Sequence, residues 1–258
     1  MRLAERAVAQ GQWCFRHRGF LPLLLLPLAV LAMPESVAIE RAVGEGWHDV
    51  WTACCLVLAL AGLALRAYAV GYAPDGTSGR DTRAQRAEVL NTTGLYSVVR
   101  HPLYVGNSLA MFAIVLSLMV PWLALVTALL LWLYHERIML AEEQFLHQRF
   151  GPVFEEWAAR TPAVWPAWSL WTPARRAFSW RRVLRSEFNG LLAIVAVITL
   201  FEGLTDIELD GRGLAGWARE DWGWVLVLAL ATTLFLVLVT VKKRTRWLRD
   251  DFGLKIAD

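Results

Sequence analysis

The sequence predicts an all-α membrane protein, a polytopic bundle of about six transmembrane helices. Three observations carry that prediction: an apolar excess, its concentration in six runs, and a one-sided distribution of basic charge. Apolar residues make up 57% of the 258-residue chain and mean hydropathy is +0.41. A soluble domain is usually about 45–50% apolar. The net charge of +3 is small and its placement says more than its size.

The six runs are Phe20–Met33, Val50–Tyr72, Leu103–Val120, Trp122–Tyr134, Phe188–Leu204 and Gly223–Val241. A perpendicular span needs about 20 residues. The second, third and sixth approach that length, and the others extend into flanking residues or tilt. Backbone groups in lipid must be paired within the segment, so each run is expected to be helical.

With both termini in the cytoplasm, 23 of the 26 Lys and Arg residues fall on the inner side. Only Arg41, Arg212 and Arg219 fall outside, where segments 34–49 and 202–222 are acidic. That pattern follows the positive-inside rule. It places the chain in the inner membrane if the source is bacterial. Arg2, Arg6, Arg16 and Arg18 ahead of the first run also resemble a signal peptide. Ala29-Val-Leu-Ala32 is a poor cleavage site, which favours an uncleaved span. Cys14, Cys54 and Cys55 have no disulfide or zinc spacing, and no metal ligands are expected.

Four parts follow from this layout: residues 1–72 with two spans, 73–166 with a transmembrane hairpin, the Arg/Trp-rich 167–187, and 188–258 with two further spans and a basic tail. Trp165–Arg185 mixes Trp168, Trp171, Phe178 and Trp180 with five arginines. It reads as an interfacial helix, with Arg175 and Arg176 available to an anionic substrate.

Polar residues concentrate in two inner segments. Asn91–Asn107 runs into the third span. Pro102 suits a first helical position, where a missing N–H costs nothing. Arg100 and His101 then stand at the helix mouth, whose positive end favours an anion. Gly106 admits a ligand or a neighbouring helix, and Asn107 adds a polar group one turn in. His135–Gly151 continues the fourth span outward and carries Glu136, Glu142 and Glu143, with Gly151-Pro152 as a stop. A hairpin turning near Val120-Pro121 brings the two segments together. Arg66, near the inner end of the second span, either snorkels to the interface or anchors a ligand.

Arg100-His-Pro-Leu-Tyr104 with Gly106, then Glu142-Glu143 and Phe150-Gly151, resembles the isoprenylcysteine carboxyl methyltransferase and phospholipid methyltransferase superfamily. Phe154 and Trp157 stand where that superfamily commonly has Tyr. The likeness covers roughly residues 73–166 and implies a cytoplasmic-side pocket for S-adenosyl-L-methionine. By the same likeness, His101, Tyr104 and Glu142 or Glu143 contact the cofactor, and Gly94, Pro102 and Gly106 shape its pocket; Tyr96 and Asn107 are expected to join the cofactor-binding set. Arg100 and His101 are the expected catalytic residues. Arg66, Arg100, Arg175 and Arg176 are the expected substrate-binding residues. His101 acts as a base only for an amine or thiol acceptor.

The expected activity is methyl transfer to a membrane lipid or lipidated acceptor, with carboxylate or phosphate oxygen favoured. No nucleic-acid partner is expected. A membrane-embedded NADPH-dependent reductase and a non-enzymatic transporter or scaffold are the competing readings. A transporter wants polar groups near the bilayer midplane, and these runs hold few.

Overall fold

A computed structural model describes residues 3–73, 87–211, 213–245 and 247. Arg2, Arg80, Arg83, Arg86, Arg212, Arg246, Arg249 and Lys255, which the charge count uses, lie outside the described residues. In chain order the helices are α1 (Leu3–Arg16), α2 (Leu25–Val43), α3 (Glu45–Tyr72), α4 (Leu95–Val98) and α5 (Pro102–Leu116). They are followed by α6 (Pro121–Phe150), α7 (Pro152–Arg160), α8 (Trp180–Asp210), α9 (Gly213–Glu220) and α10 (Trp222–Arg244). No strand occurs among the described residues, so the chain is a polytopic helical bundle.

Five helical segments are long and apolar enough to cross a membrane: Leu21–Val43, Glu45–Tyr72, Pro121–Phe150, Trp180–Leu209 and Trp222–Arg244. The third apolar run, Leu103–Val120, forms the shorter α5. Pro102 and Pro121 start α5 and α6 at positions that lose no hydrogen bond. The hairpin between them turns through Met119, whose φ is +57°. Gly151, at φ +53°, ends α6 and starts α7.

The first span is longer than its apolar run. It continues through Pro34 to Val43 and carries Glu35 and Glu40. Glu40 is buried among other helices rather than facing lipid.

A second difference concerns Trp165–Arg185. It forms no single interfacial helix: residues 161–179 are irregular apart from a 3-10 turn at Trp168–Leu170, and Trp180 opens α8. Pro166 and Pro173 interrupt any helix there. The segment docks on the end of α3 instead. The Phe178 ring covers Gly71, Ser179 N–H donates to the Gly71 carbonyl at 3.0 Å, and the Arg182 guanidinium donates to the Ala73 carbonyl. A shorter amphipathic helix lies at the other end of the chain, where α1 packs along α6. Gly11 lets α1 come into contact with the Arg137 backbone.

The centre of the bundle is α3 packed on α5 and α8. Gly62 and Gly106 face each other at the α3–α5 crossing, and a Cβ on either would stand 2.6 Å from the other's carbonyl oxygen. Such small-residue pairs bring helix backbones close where lipid gives no hydrophobic drive. Ala59, Ala110, Ala113, Ile194 and Ile198 fill the space beside that crossing. α10 packs on α8 and α9 and is otherwise largely exposed.

Candidate active site

The Arg100–Pro102 turn is held by the segment that follows α7. Arg100 N–H donates to the Pro162 carbonyl at 2.8 Å and His101 N–H to the Ala163 carbonyl at 3.3 Å. Ala167 N–H donates to Val98 at 2.9 Å, and Gly94 N–H donates to Thr172 at 2.8 Å. Gly94 sits at φ +62°, a left-handed conformation that favours glycine. The loop after α7 therefore closes back on the loop before α5.

Glu142 and Glu143 meet the turn from α6. One carboxylate reaches each nitrogen of the His101 ring: Glu143 Oε1 lies 2.9 Å from Nε2, and Glu142 Oε2 lies 3.7 Å from Nδ1. Consecutive residues on a helix diverge by about 100°, and the buried imidazole spans that divergence. Burial disfavours the charged ring, but the hydrogen bonds and charges of Glu142 and Glu143 outweigh it and hold His101 above its ordinary range. The anion at the α5 mouth is thus the protein's own carboxylate pair. Glu143 Oε1 also accepts from Arg100 Nε at 2.9 Å. Arg100 Nη1 donates to the Ala158 and Thr161 carbonyls at 2.6 and 2.9 Å. The Arg100 guanidinium is therefore committed to protein oxygens and fastens α7 to the turn.

Beside this cluster lies a cavity of about 450 Å³. His101, Tyr104, Asn107 and Met111 line it from α5, spaced three or four residues apart so that they share one helical face. Tyr134, His135, Ile138 and Glu142 line it from α6, Phe15 and Arg18 from the α1 end, and Arg66 and Val70 from α3. Tyr96 and Trp157 complete the loop side, with Trp157 Nε1 donating to the Tyr96 carbonyl at 3.1 Å. Burial pushes the Tyr96 phenol up, with Glu142 adding to it, so the hydroxyl stays neutral.

Arg66 does not snorkel. It forms a bidentate pair with Glu187 of α8, Nε to Oε2 at 2.9 Å and Nη2 to Oε1 at 3.0 Å. Its Nη1 donates to Asn107 Oδ1 at 2.8 Å. Arg66 thus faces the cavity with its charge balanced.

The structure brings Arg66, Tyr96, Arg100, His101, Tyr104, Asn107 and Glu142 to the cavity wall. Glu143 stands behind His101. Gly106 admits α3 rather than a ligand, since its missing side chain is what lets Gly62 and Arg66 approach. Pro102 and Gly94 shape the backbone without lining the space. Arg175 and Arg176 are exposed in the loop before α8 and do not line the cavity, because Pro173 and the docking of Phe178 carry that loop around the end of α3. Arg18, His135 and Glu187 are among the cavity residues that the sequence reading did not assign to the site. His135 Nδ1 lies 2.8 Å from Ser108 Oγ. An acid at the start of the fifth apolar run, opposite the lone arginine of the second, was the available signal for Glu187.

Residues 50–153 match the phospholipid methyltransferase family model. The chain is 34% identical over 165 residues to the cobalt-zinc-cadmium resistance protein CzcN of Cupriavidus metallidurans, covering 60% of this chain and 72% of that protein. The chain belongs to the phospholipid methyltransferase family. This family lies within the isoprenylcysteine carboxyl methyltransferase superfamily. The chain is also 32% identical over 125 residues to the nickel-cobalt-cadmium resistance protein NccN of Alcaligenes xylosoxydans xylosoxydans. That match covers 48% of this chain and spans 56% of NccN's length, little over half. No solved structure matches the chain.

Family membership indicates methyltransferase chemistry in an integral membrane protein, and phospholipid methyltransferases generally use S-adenosylmethionine. The cavity's residues fit that cofactor. About 450 Å³ lies within the usual range of about 300–1,000 Å³ for small-molecule pockets. The wall offers carboxylate, guanidinium and amide groups at the loop end, and Val70, Leu103, Met111 and Ile138 elsewhere. A zwitterionic molecule with an apolar edge suits such a lining.

Proposed function

We propose that the chain transfers a methyl group from S-adenosylmethionine to a membrane lipid or lipidated acceptor, with carboxylate or phosphate oxygen favoured. The observation that supports this most is the cavity beside the His101, Glu142 and Glu143 cluster, opening at the ends of apolar spans. Both termini and the cavity mouth face the cytoplasm in this reading.

When bound, S-adenosylmethionine supplies an electrophilic methyl carbon: a new bond forms to the acceptor atom while the carbon–sulfur bond breaks and its electron pair leaves with sulfur. The residues do the rest. Glu142 reaches the cavity as a carboxylate and receives a cationic or hydroxyl-bearing part of the cofactor. His101 holds that carboxylate in place and fixes the loop. Tyr96, Tyr104 and Trp157 flank the space and exclude water. An anionic oxygen acceptor needs no proton removed, so His101 serves position rather than base catalysis. Arg18 and the Asn107-tethered Arg66 stand along the cavity for an acceptor headgroup.

The relatives' names tie them to resistance against divalent metals. Methylating a phosphate or carboxylate oxygen removes a negative charge from the membrane surface, and with it a site that attracts cations. We propose that charge change as the link between the activity and that property.

Untargeted mass spectrometry of lipids from cells with and without the gene tests the activity. One lipid class should shift by one methylene mass only when the gene is present, and its headgroup fragments should carry the added methyl. Identical lipid profiles, together with stabilisation of the purified protein by NADPH and not by S-adenosylhomocysteine, would overturn the proposal in favour of a reductase.

A further inference from the structure

A second group of ionisable side chains lies at the opposite end of the bundle. His48 opens α3 some 18 residues before Arg66, about 27 Å along the helix axis at 1.5 Å per residue. Glu40 of α2 and Glu202 of α8 flank it. Its Nδ1 lies 3.8 Å from Glu40 Oε2 and 3.6 Å from Glu202 Oε1. The residues are 2%, 1% and 2% exposed, so all three side chains are essentially cut off from solvent. Neither ring nitrogen of His48, neither oxygen of Glu40, nor Oε1 of Glu202 makes a hydrogen bond. Thr52 Oγ1, one turn along α3 from His48, is likewise buried without a hydrogen bond. Asp206 stands one turn beyond Glu202, held by Trp217 Nε1 of α9 at 3.0 Å.

Buried polar groups are almost always hydrogen-bonded. Carboxylates in a membrane bundle are costly and normally paired. Here several unsatisfied groups of complementary chemistry point at one another across gaps too long for hydrogen bonds. Those gaps match another geometry. Two ligands about 2.0–2.3 Å from a shared cation, at tetrahedral angles, lie about 3.3–3.8 Å apart. No three such groups already close around one point among the described residues. The gaps of 3.8 and 3.6 Å from His48 Nδ1 to the two carboxylates fall in that range of ligand separations.

We propose that His48, Glu40 and Glu202 form a binding site for a divalent transition-metal cation, with the Asp206 carboxylate, one turn beyond Glu202, as the fourth ligand. One imidazole with carboxylates suits zinc, cobalt or nickel rather than an all-oxygen cation such as magnesium. Exposed Glu45 and half-buried Asp49 and Asp221 surround this end of the bundle and attract cations toward it. Glu40, His48 and Glu202 all fall outside the residues that match the family. The site therefore stands apart from the methyl-transfer cavity and from its proposed role.

The test uses the purified full chain in detergent, stripped with chelator, loaded with zinc and desalted. One equivalent of zinc per chain is expected, with an X-ray absorption edge fitted by one imidazole nitrogen and the rest oxygen. His48→Ala and Glu202→Gln should each weaken zinc binding at least 100-fold. His17→Ala with His147→Ala, two exposed histidines, should leave it unchanged. Binding of S-adenosylhomocysteine at the other end reports whether the site variants remain folded. Less than a tenth of an equivalent in the unaltered chain would overturn the proposal. So would full zinc retention in a folded His48→Ala protein, or an all-oxygen coordination shell.

Discussion

Glu143 gives the sharpest perturbation of the proposed cofactor site, because one oxygen serves two partners. Glu143→Ala removes the acceptor of Arg100 Nε and of His101 Nε2, each at 2.9 Å. A hydrogen bond to a charged group contributes about 1.5–3 kcal/mol. The two are not additive, and the Glu143 side chain is 25% exposed, which lets water replace part of the loss. Arg100 also keeps the Ala158 and Thr161 carbonyls. Roughly 2–3 kcal/mol of ordering is therefore lost from the turn that presents His101 and Glu142, on the scale of single charge-assisted bonds. Passed on to the ligand, that is roughly a 30- to 150-fold rise in Kd for S-adenosylhomocysteine. Isothermal titration of the detergent-solubilised protein reads it directly. Glu143→Gln keeps one oxygen acceptor and should cost less. Unchanged affinity in a folded Glu143→Ala protein would refute the claim that this carboxylate orders the site.

Other expectations follow from the same geometry. His101 is held above its ordinary range by the two glutamates, so its stabilising charge is fully present below the unfolded value near 6.5 and fades as pH rises through the higher folded value. Ligand affinity measured across pH should fall on the alkaline side, and His101→Gln should flatten that limb. Gly106→Ala places a Cβ 2.6 Å from the Gly62 carbonyl oxygen, so α3 and α5 must part. Overpacking of this kind costs about 1–3 kcal/mol, visible as a lower thermal midpoint; an unchanged midpoint would contradict the close crossing. Arg175→Gln with Arg176→Gln should leave cofactor affinity within about twofold, since surface changes away from a site are usually within about 0.5 kcal/mol. A large loss would return those arginines to the site.

The spans and the mouth were legible because they rest on local patterns. Pro102 and Pro121 mark helix starts, Gly151 marks a stop, and the hairpin between α5 and α6 follows from two adjacent apolar runs. That hairpin alone places His101 beside Glu142 and Glu143. What the sequence hid depends on partners distant in the chain. The apolar run of the first span gave no sign that the helix continues to Val43, because Glu40 is buried against residues distant in the chain, His48 among them, rather than among its own neighbours. Arg66 reads as a snorkelling residue until Glu187 of α8 is seen to meet it. Trp165–Arg185 has the composition of an interfacial helix, but Pro166, Pro173 and the seat of Phe178 on Gly71 decide its path. Gly106 was open to two readings, and the backbone of α3 selected one.

The most direct measurement is equilibrium binding of radiolabelled S-adenosylmethionine to the purified protein, compared with a His101→Ala, Glu142→Ala double variant. Saturable binding of one molecule per chain, lost in the variant while its helical content is kept, is the expected result. Saturation that survives removal of both residues, or no binding to the unaltered protein, would contradict the placement of the cofactor beside the α5 mouth.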